Sequence, residues 1–144
     1  MSTITILRTI DAPKEKVFNT IADIRNFSKA VPDIVKVEFV SDSMTGLGTR
    51  FKETRIISGR EHTQELEVTE YDENNAIRLV TDSNGTVWDS LFSVSDEHGP
   101  TQLTLIMEAN AYKFMARIMN PLMKYFIKKA IGKDMDAVKI YCEQ

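Results

Sequence analysis

From residue 34 to residue 110 the chain keeps β periodicity with only short interruptions, and then it changes period once. That single switch restricts the fold more than any other feature. Strands are expected at 34–41, 49–58, 61–72, 75–83, 85–95 and 101–110. The breaks between them are turn-like: Ser41 to Gly48, Ser58-Gly59, Asp72 to Asn75, Asn84-Gly85 and Glu97 to Pro100. Asn84-Gly85 signals a hairpin, because both central residues of a type I′ turn need φ above zero. Consecutive short connections make an antiparallel meander, which can bury one face and wet the other.

Beyond residue 110 the pattern is helical. Phe114, Ile118, Leu122 and Phe126 recur at steps of four, and Met115, Met119, Met123, Ile127 and Ile131 do so beside them. At 100° per residue these two stripes cover well over half of the helix circumference, at least about twice the apolar stripe of an ordinary surface helix. A face that broad needs a concave receiver, and a curved sheet needs something to fill its hollow. Pro121 interrupts the pattern, so Asn120-Pro121 reads either as a kink or as a capped new start.

Upstream, Thr3 to Ile10 alternates with Ile4, Ile6 and Ile10 on one parity, which predicts a strand. Asp11-Ala12-Pro13 then starts a helix, with Asp11 or Ala12 at the cap and Pro13 in the first turn. Val17, Phe18, Ile21, Ala22 and Ile24 recur along it, and a short second helix from Arg25 to Val31 ends before Pro32. The expected architecture is α+β: a curved antiparallel sheet of about seven strands gripping a long C-terminal helix, with two short helices after the first strand. The 144 residues fit one domain spanning 1–144. A chain of that length buries about two-thirds of its unfolded surface, enough for a core or a modest cavity.

In this arrangement the chain resembles the helix-grip superfamily, the birch-pollen-allergen-like and START-related group with polyketide cyclases/dehydratases and lipid-transfer domains. The matching residues are Ala12-Pro13 with Val17-Phe18, Asp23 to Phe27 leading to Pro32, and Gly46-Leu47-Gly48-Thr49. Glu67-Val68-Thr69-Glu70-Tyr71, Gly99-Pro100-Thr101 and Asn120-Pro121-Leu122 complete the set. Most are turn and packing positions, so they speak for the fold and hardly at all for chemistry. Family members often carry Trp between Asp23 and Pro32, where this chain has Phe27.

Several function classes drop out. The single cysteine, Cys142, can form neither an internal disulfide nor a thiolate metal site. Two distant histidines are no basis for zinc, and His98 belongs to a solvated turn, so no metal is expected. No Gly-rich loop precedes a helix and no nucleophile elbow appears, so no cofactor is expected either. Gly46-x-Gly48 precedes a strand and reads as a loop needing positive φ. The N-terminal stretch lacks a secretory pattern and no apolar run reaches membrane-span length, so a cytoplasmic location is expected. The net charge of −3 argues against nucleic acid as a partner. Charge is nevertheless uneven: seven basic and three acidic residues fall in 111–144. Lys113, Arg117, Lys124 and Lys128 lie within about 60° on the helix. That stripe reads first as a solvated face, and second as a transient contact with an anionic membrane or protein.

Chemistry-bearing residues are expected on one parity of the strands. Phe51, Glu53, Arg55 and Ile57 alternate, and the two apolar members point this side toward the helix; the reversed parity would put Arg50, Lys52, Thr54 and Ile56 inside. An inward charge must be paired or meet a polar ligand group. His62 and Gln64 follow on the next strand with Leu66 and Val68. Trp88, Ser90, Phe92 and Val94 share a face, as do Leu103, Leu105, Met107 and Ala109, and such residues are more often plain core than ligand contacts, although in this arrangement core and pocket wall are the same surface. Met115, Met119 and Met123 form a flexible, polarizable stripe that either packs or lines a cavity. The leading expectation is a binding module holding a lipophilic small molecule between sheet and C-terminal helix, with Glu53, Arg55, His62 and Gln64 as its polar groups. What the resemblance adds is an enzymatic alternative, a polyketide cyclase/dehydratase-like reaction using an acid or base in that cavity. A small cavity with function at the surface is the third reading.

Overall fold

A computed structural model describes residues 2–113 and 121–144. The chain runs β1 (Ser2–Ile10), α1 (Lys14–Ala22), α2 (Ile24–Ala30), β2 (Ile34–Phe39), β3 (Arg50–Ile57), β4 (Arg60–Asp72), β5 (Ala76–Ser83), β6 (Thr86–Ser95), β7 (Thr101–Ala111) and α3 (Pro121–Cys142). The strands form one curved seven-stranded sheet in the order β1-β7-β6-β5-β4-β3-β2, with every neighbouring pair antiparallel. β2 to β7 follow one another as the turn signals require. β1 adds to the far edge by pairing with β7, Ile4 opposite Met107 and Ile6 opposite Leu105.

The Asn84-Gly85 hairpin forms as expected, with Ser83 opposite Thr86 and φ of 53° and 87° at the two central residues. Gly85 is needed for a second reason. Its carbonyl accepts the amides of Tyr112 and Lys113, and a Cβ there would lie 2.7 Å from the Lys113 side chain.

One face of the sheet carries the helices. Its core joins Ile4, Ile6 and Ile10 of β1 to Leu103, Leu105 and Met107 of β7, then Phe92, Val94, Ile77, Val68 and Phe51 across the sheet. Val17, Phe18, Ile21 and Phe27 of the small helices and Met135 and Val138 of α3 close over it. Phe27 meets the Phe92 ring edge-on at 6.5 Å between centroids, so it acts as a core aromatic.

Two local expectations are corrected. α1 begins at Lys14 with Pro13 at the cap and no capping side chain, rather than with Asp11 or Ala12 at the cap. Asp11 instead donates its amide to Glu143 near the C-terminus, at 2.8 Å. The second helix starts at Ile24, one residue early, because the Asp23 side chain caps it by accepting the Arg25 amide at 3.0 Å.

The larger difference is in α3. The broad apolar stripe predicted a helix wrapped along its length, yet Leu122, Met123 and Phe126 are exposed. Helical phase explains the exposure of Leu122 and Phe126. The buried residues Asp134, Met135, Val138 and Cys142 set the inward direction. At 100° per residue, that direction passes through Ile127 and Lys124, and Leu122 and Phe126 turn away from it by more than about 120°. Phe114, Met115, Arg117, Ile118, Met119 and Asn120 lie outside the described residues, and with them the question of a kink at Pro121. Among the described residues no helix is long and apolar enough to cross a membrane.

Candidate functional site

In an antiparallel pair, directly opposite residues share a face. Phe51 lies opposite Leu66, Glu53 opposite Gln64 and Arg55 opposite His62. Val68 faces Leu79, Leu79 faces Ser90, and Ser90 faces Met107; Trp88 faces Ala109 and Phe92 faces Leu105. The sheet therefore brings Phe51, Glu53, Arg55, His62, Gln64, Trp88, Ser90, Phe92 and Met107 onto its helix-bearing face. This is the parity that the apolar members of β3 favoured. Arg50 and Lys52 lie on the opposite side, where Arg50 pairs with Glu65 at 2.6 Å. Thr54 also faces away and is buried there, its hydroxyl 2.7 Å from that of Thr63.

These positions are not equally enclosed. Phe51, Phe92 and Met107 are buried, Gln64, Trp88 and Ser90 are half-buried, and His62 near the β3–β4 turn is exposed. Met123, on the first turn of α3, is about half exposed. Met115 and Met119 lie outside the described residues.

The polar centre of the face is an ionic cluster that includes a residue the sequence reading missed. Arg55 donates through Nε to Glu53 at 2.7 Å, and its Nη1 meets Oδ2 of Asp134 on α3 at 2.8 Å. Glu53 is 4% exposed and Asp134 8%. Asp134 was legible in principle: it falls three residues after Ile131 and four before Val138, on the inward stripe, where an acid demands a partner. Beside the cluster, Lys133 reaches Asp33 at 3.4 Å.

Two carboxylates share one guanidinium here. Burial works against the Arg55 charge, but the attraction of Glu53 and Asp134 outweighs it and holds the guanidinium above its ordinary value. For Asp134 burial wins: desolvation lifts its carboxyl above the usual range, with Arg55 pulling it down and Glu53 and Asp33 pushing it further up. The pair is thus held more firmly from the arginine side. Chemically, the cluster offers carboxylate oxygens that can hold or exchange a proton and a cation that can steady an anion. Among the described residues no group of three His, Cys, Asp or Glu side chains could hold a metal ion.

On its other flank α3 is tied to β1. Arg8 pairs with Asp136 at 2.6 Å and reaches the Gly132 carbonyl at 3.5 Å, while Lys139 donates to the Thr9 carbonyl. A surface cleft lies at this crossing, lined by Arg8, Tyr125, Lys129 and Asp136 among others, away from the candidate residues. The basic stripe is exposed at Lys113, Lys124 and Lys128, and Arg117 lies outside the described residues.

A family model described as "Polyketide cyclase / dehydrase and lipid transport" matches residues 1–143. Comparison with proteins of curated function finds no match. Among solved structures, a START superfamily protein from Mycobacterium smegmatis is similar at a TM-score of 0.80 and 14% identity, with 99% of this chain and 97% of that one covered. The crystal structure of Ara h 8.0201 gives a TM-score of 0.78 at 15% identity over 98% and 97% of the two chains. Major latex-like protein 151 from Panax ginseng gives 0.75 at 10% identity over 96% and 97%. At such identities these likenesses speak for the fold alone.

Proposed function

The chain belongs to the polyketide cyclase / dehydrase and lipid transport family, and from that premise we propose that it carries or senses a lipophilic small molecule held between the sheet and α3. One observation carries the reading. Across the middle of the helix-bearing face Leu66, Gln64, Leu79, Trp88 and Ser90 keep partial access, although β1 and β7 on the same face are sealed. A core packed to ordinary density would bury Leu79 and Trp88 as fully as Leu105. A mostly apolar wall with a few fixed polar groups is the usual make-up of a small-molecule site. In this reading Phe51, Phe92, Met107 and Trp88 supply the wall, and Glu53, Arg55, Gln64 and the outlying His62 supply polar contacts.

The second reading is a polyketide cyclase-like reaction, favoured by the acid–guanidinium cluster on the same face. It ranks lower because Glu53, Arg55 and Asp134 already satisfy one another, and the only nearby histidine stands in solvent.

Trp88 is the chain's only tryptophan, which makes a direct test available. Energy transfer from Trp88 to 11-(dansylamino)undecanoic acid should saturate at one probe per chain. Arg55→Gln should change the affinity by about tenfold, the scale of one charge-assisted hydrogen bond, while Arg50→Gln should leave it unchanged. Absence of saturable transfer would sink the carrier reading. Equal, negligible effects of the two substitutions would remove β3's inward pair from the site.

A further inference from the structure

Four large apolar side chains are exposed within five consecutive residues at the start of α3: Leu122 at 62%, Met123 at 46%, Tyr125 at 59% and Phe126 at 58%. Contiguous apolar exposure of this kind marks an interaction surface more often than isolated exposed residues do. Its chemistry is specific. Residues 121–133 contain Lys124, Lys128, Lys129 and Lys133 and no acidic residue, whereas 134–144 hold Asp134, Asp136 and Glu143 against Lys139. On the helical wheel Leu122, Tyr125, Phe126, Lys129 and Lys133 fall within an arc of about 100°, centred opposite the inward stripe. This face is different from the one α3 turns to the sheet, and its lysines are not the set that sequence spacing alone singled out.

We propose that this outward face of α3's first half docks on an anionic lipid surface. Tyr125 and Phe126 have the ring chemistry that settles at the headgroup boundary, and Leu122 would sit deeper beside them. The lysines flanking them can lay their methylene stems along the apolar surface while their ammonium groups reach lipid phosphates. The acidic turn of the helix, with Asp136 and Glu143, is repelled by the same surface, so α3 would meet it first half down. A second copy of the chain is the other natural occupant of an apolar face. A two-fold contact there would set the lysines of one copy against the same lysines of the other.

Co-sedimentation with phosphatidylcholine vesicles, with and without phosphatidylglycerol, tests it. Binding should be at least about tenfold stronger to the anionic vesicles and should weaken as salt rises. Lys129→Glu should remove most of that preference, and Tyr125→Ser with Phe126→Ser should weaken binding about tenfold or more. Both variants should keep the parent's melting midpoint, because every altered side chain is exposed. Equal partition onto both vesicle types overturns the proposal, as does unchanged binding by either variant. So does a concentration-dependent dimer that Phe126→Ser dissociates while vesicles remain unbound. Probe binding at Trp88 is measured without vesicles, so failure of the carrier reading and failure of docking are seen separately.

Discussion

Within α3, residues 121–130 and 131–142 share one helix but stand in contrasting surroundings. In the second half Met135, Val138 and Cys142 are buried, Asp134 is paired with Arg55 of β3, and Asp136 is paired with Arg8 of β1. β1 is an edge strand and β3 neighbours the other edge, so the second half is fastened from both sides of the curved sheet. In the first half Ile127 is half-buried against the core, and Tyr125 and Phe126 stack edge-on with each other at 5.8 Å. Composition does not cause the difference, since both halves are rich in apolar residues. The difference lies in phase and in charge placement: acids at 134 and 136 meet arginines, while lysines at 124, 128 and 129 belong to a stretch of the helix that contains no acid.

If the second half is a clasp, its arginine should matter most. Arg55→Ala leaves Glu53 and Asp134 as two uncompensated carboxylates in the core and should cost about 3–5 kcal/mol in urea unfolding. Asp134→Ala leaves Arg55 still paired with Glu53 and should cost about 1–3 kcal/mol. The double variant should cost less than the sum of the two. A larger loss from Asp134→Ala than from Arg55→Ala would break this account. The contrast between halves is sharpened by a second pair. Met135, 1% exposed, should lose about 2–5 kcal/mol on truncation to Ala, while Phe126→Ala should stay within about 0.5 kcal/mol. A loss above about 1 kcal/mol for Phe126→Ala would mean that the first half is covered in solution.

The same contrast marks how far the sequence could be read. Strand alternation and tight turns are local signals, so the β order and the Asn84-Gly85 hairpin were legible, and parity put Glu53 and Arg55 on the correct face of β3. The partner of Arg55 was not, because it lies 79 residues away on another element, a separation seen only once α3 is laid across the sheet. The width of the α3 stripe misled for a related reason. Apolar spacing of four residues drifts around a helix with 3.6 residues per turn, so Leu122 and Phe126 leave the face that Met135 and Val138 occupy. Periodicity states that a helix is amphipathic; which end of the stripe touches the sheet depends on where the helix is pinned.

The smallest expected effect tests the pin itself. The carboxyl of Asp134 is raised by burial despite its arginine. The folded state therefore binds that proton more tightly than the unfolded chain does. The resulting stability is complete below the ordinary carboxylate value near 3.8 and is lost as pH climbs through the raised one. Asp23 and Glu143 have lowered values and act in the opposite sense, giving stability that fades on acidification. Asp134→Asn removes the opposing contribution only. Relative to the parent, the variant should lose stability more steeply as pH falls toward 3.8, by less than about 1.4 kcal/mol per pH unit, the limit for one proton. A variant curve less steep than the parent's would mean that Arg55, rather than burial, governs Asp134 and that the clasp is an ordinary ion pair strengthened at neutral pH, and parallel curves would mean that the two influences cancel.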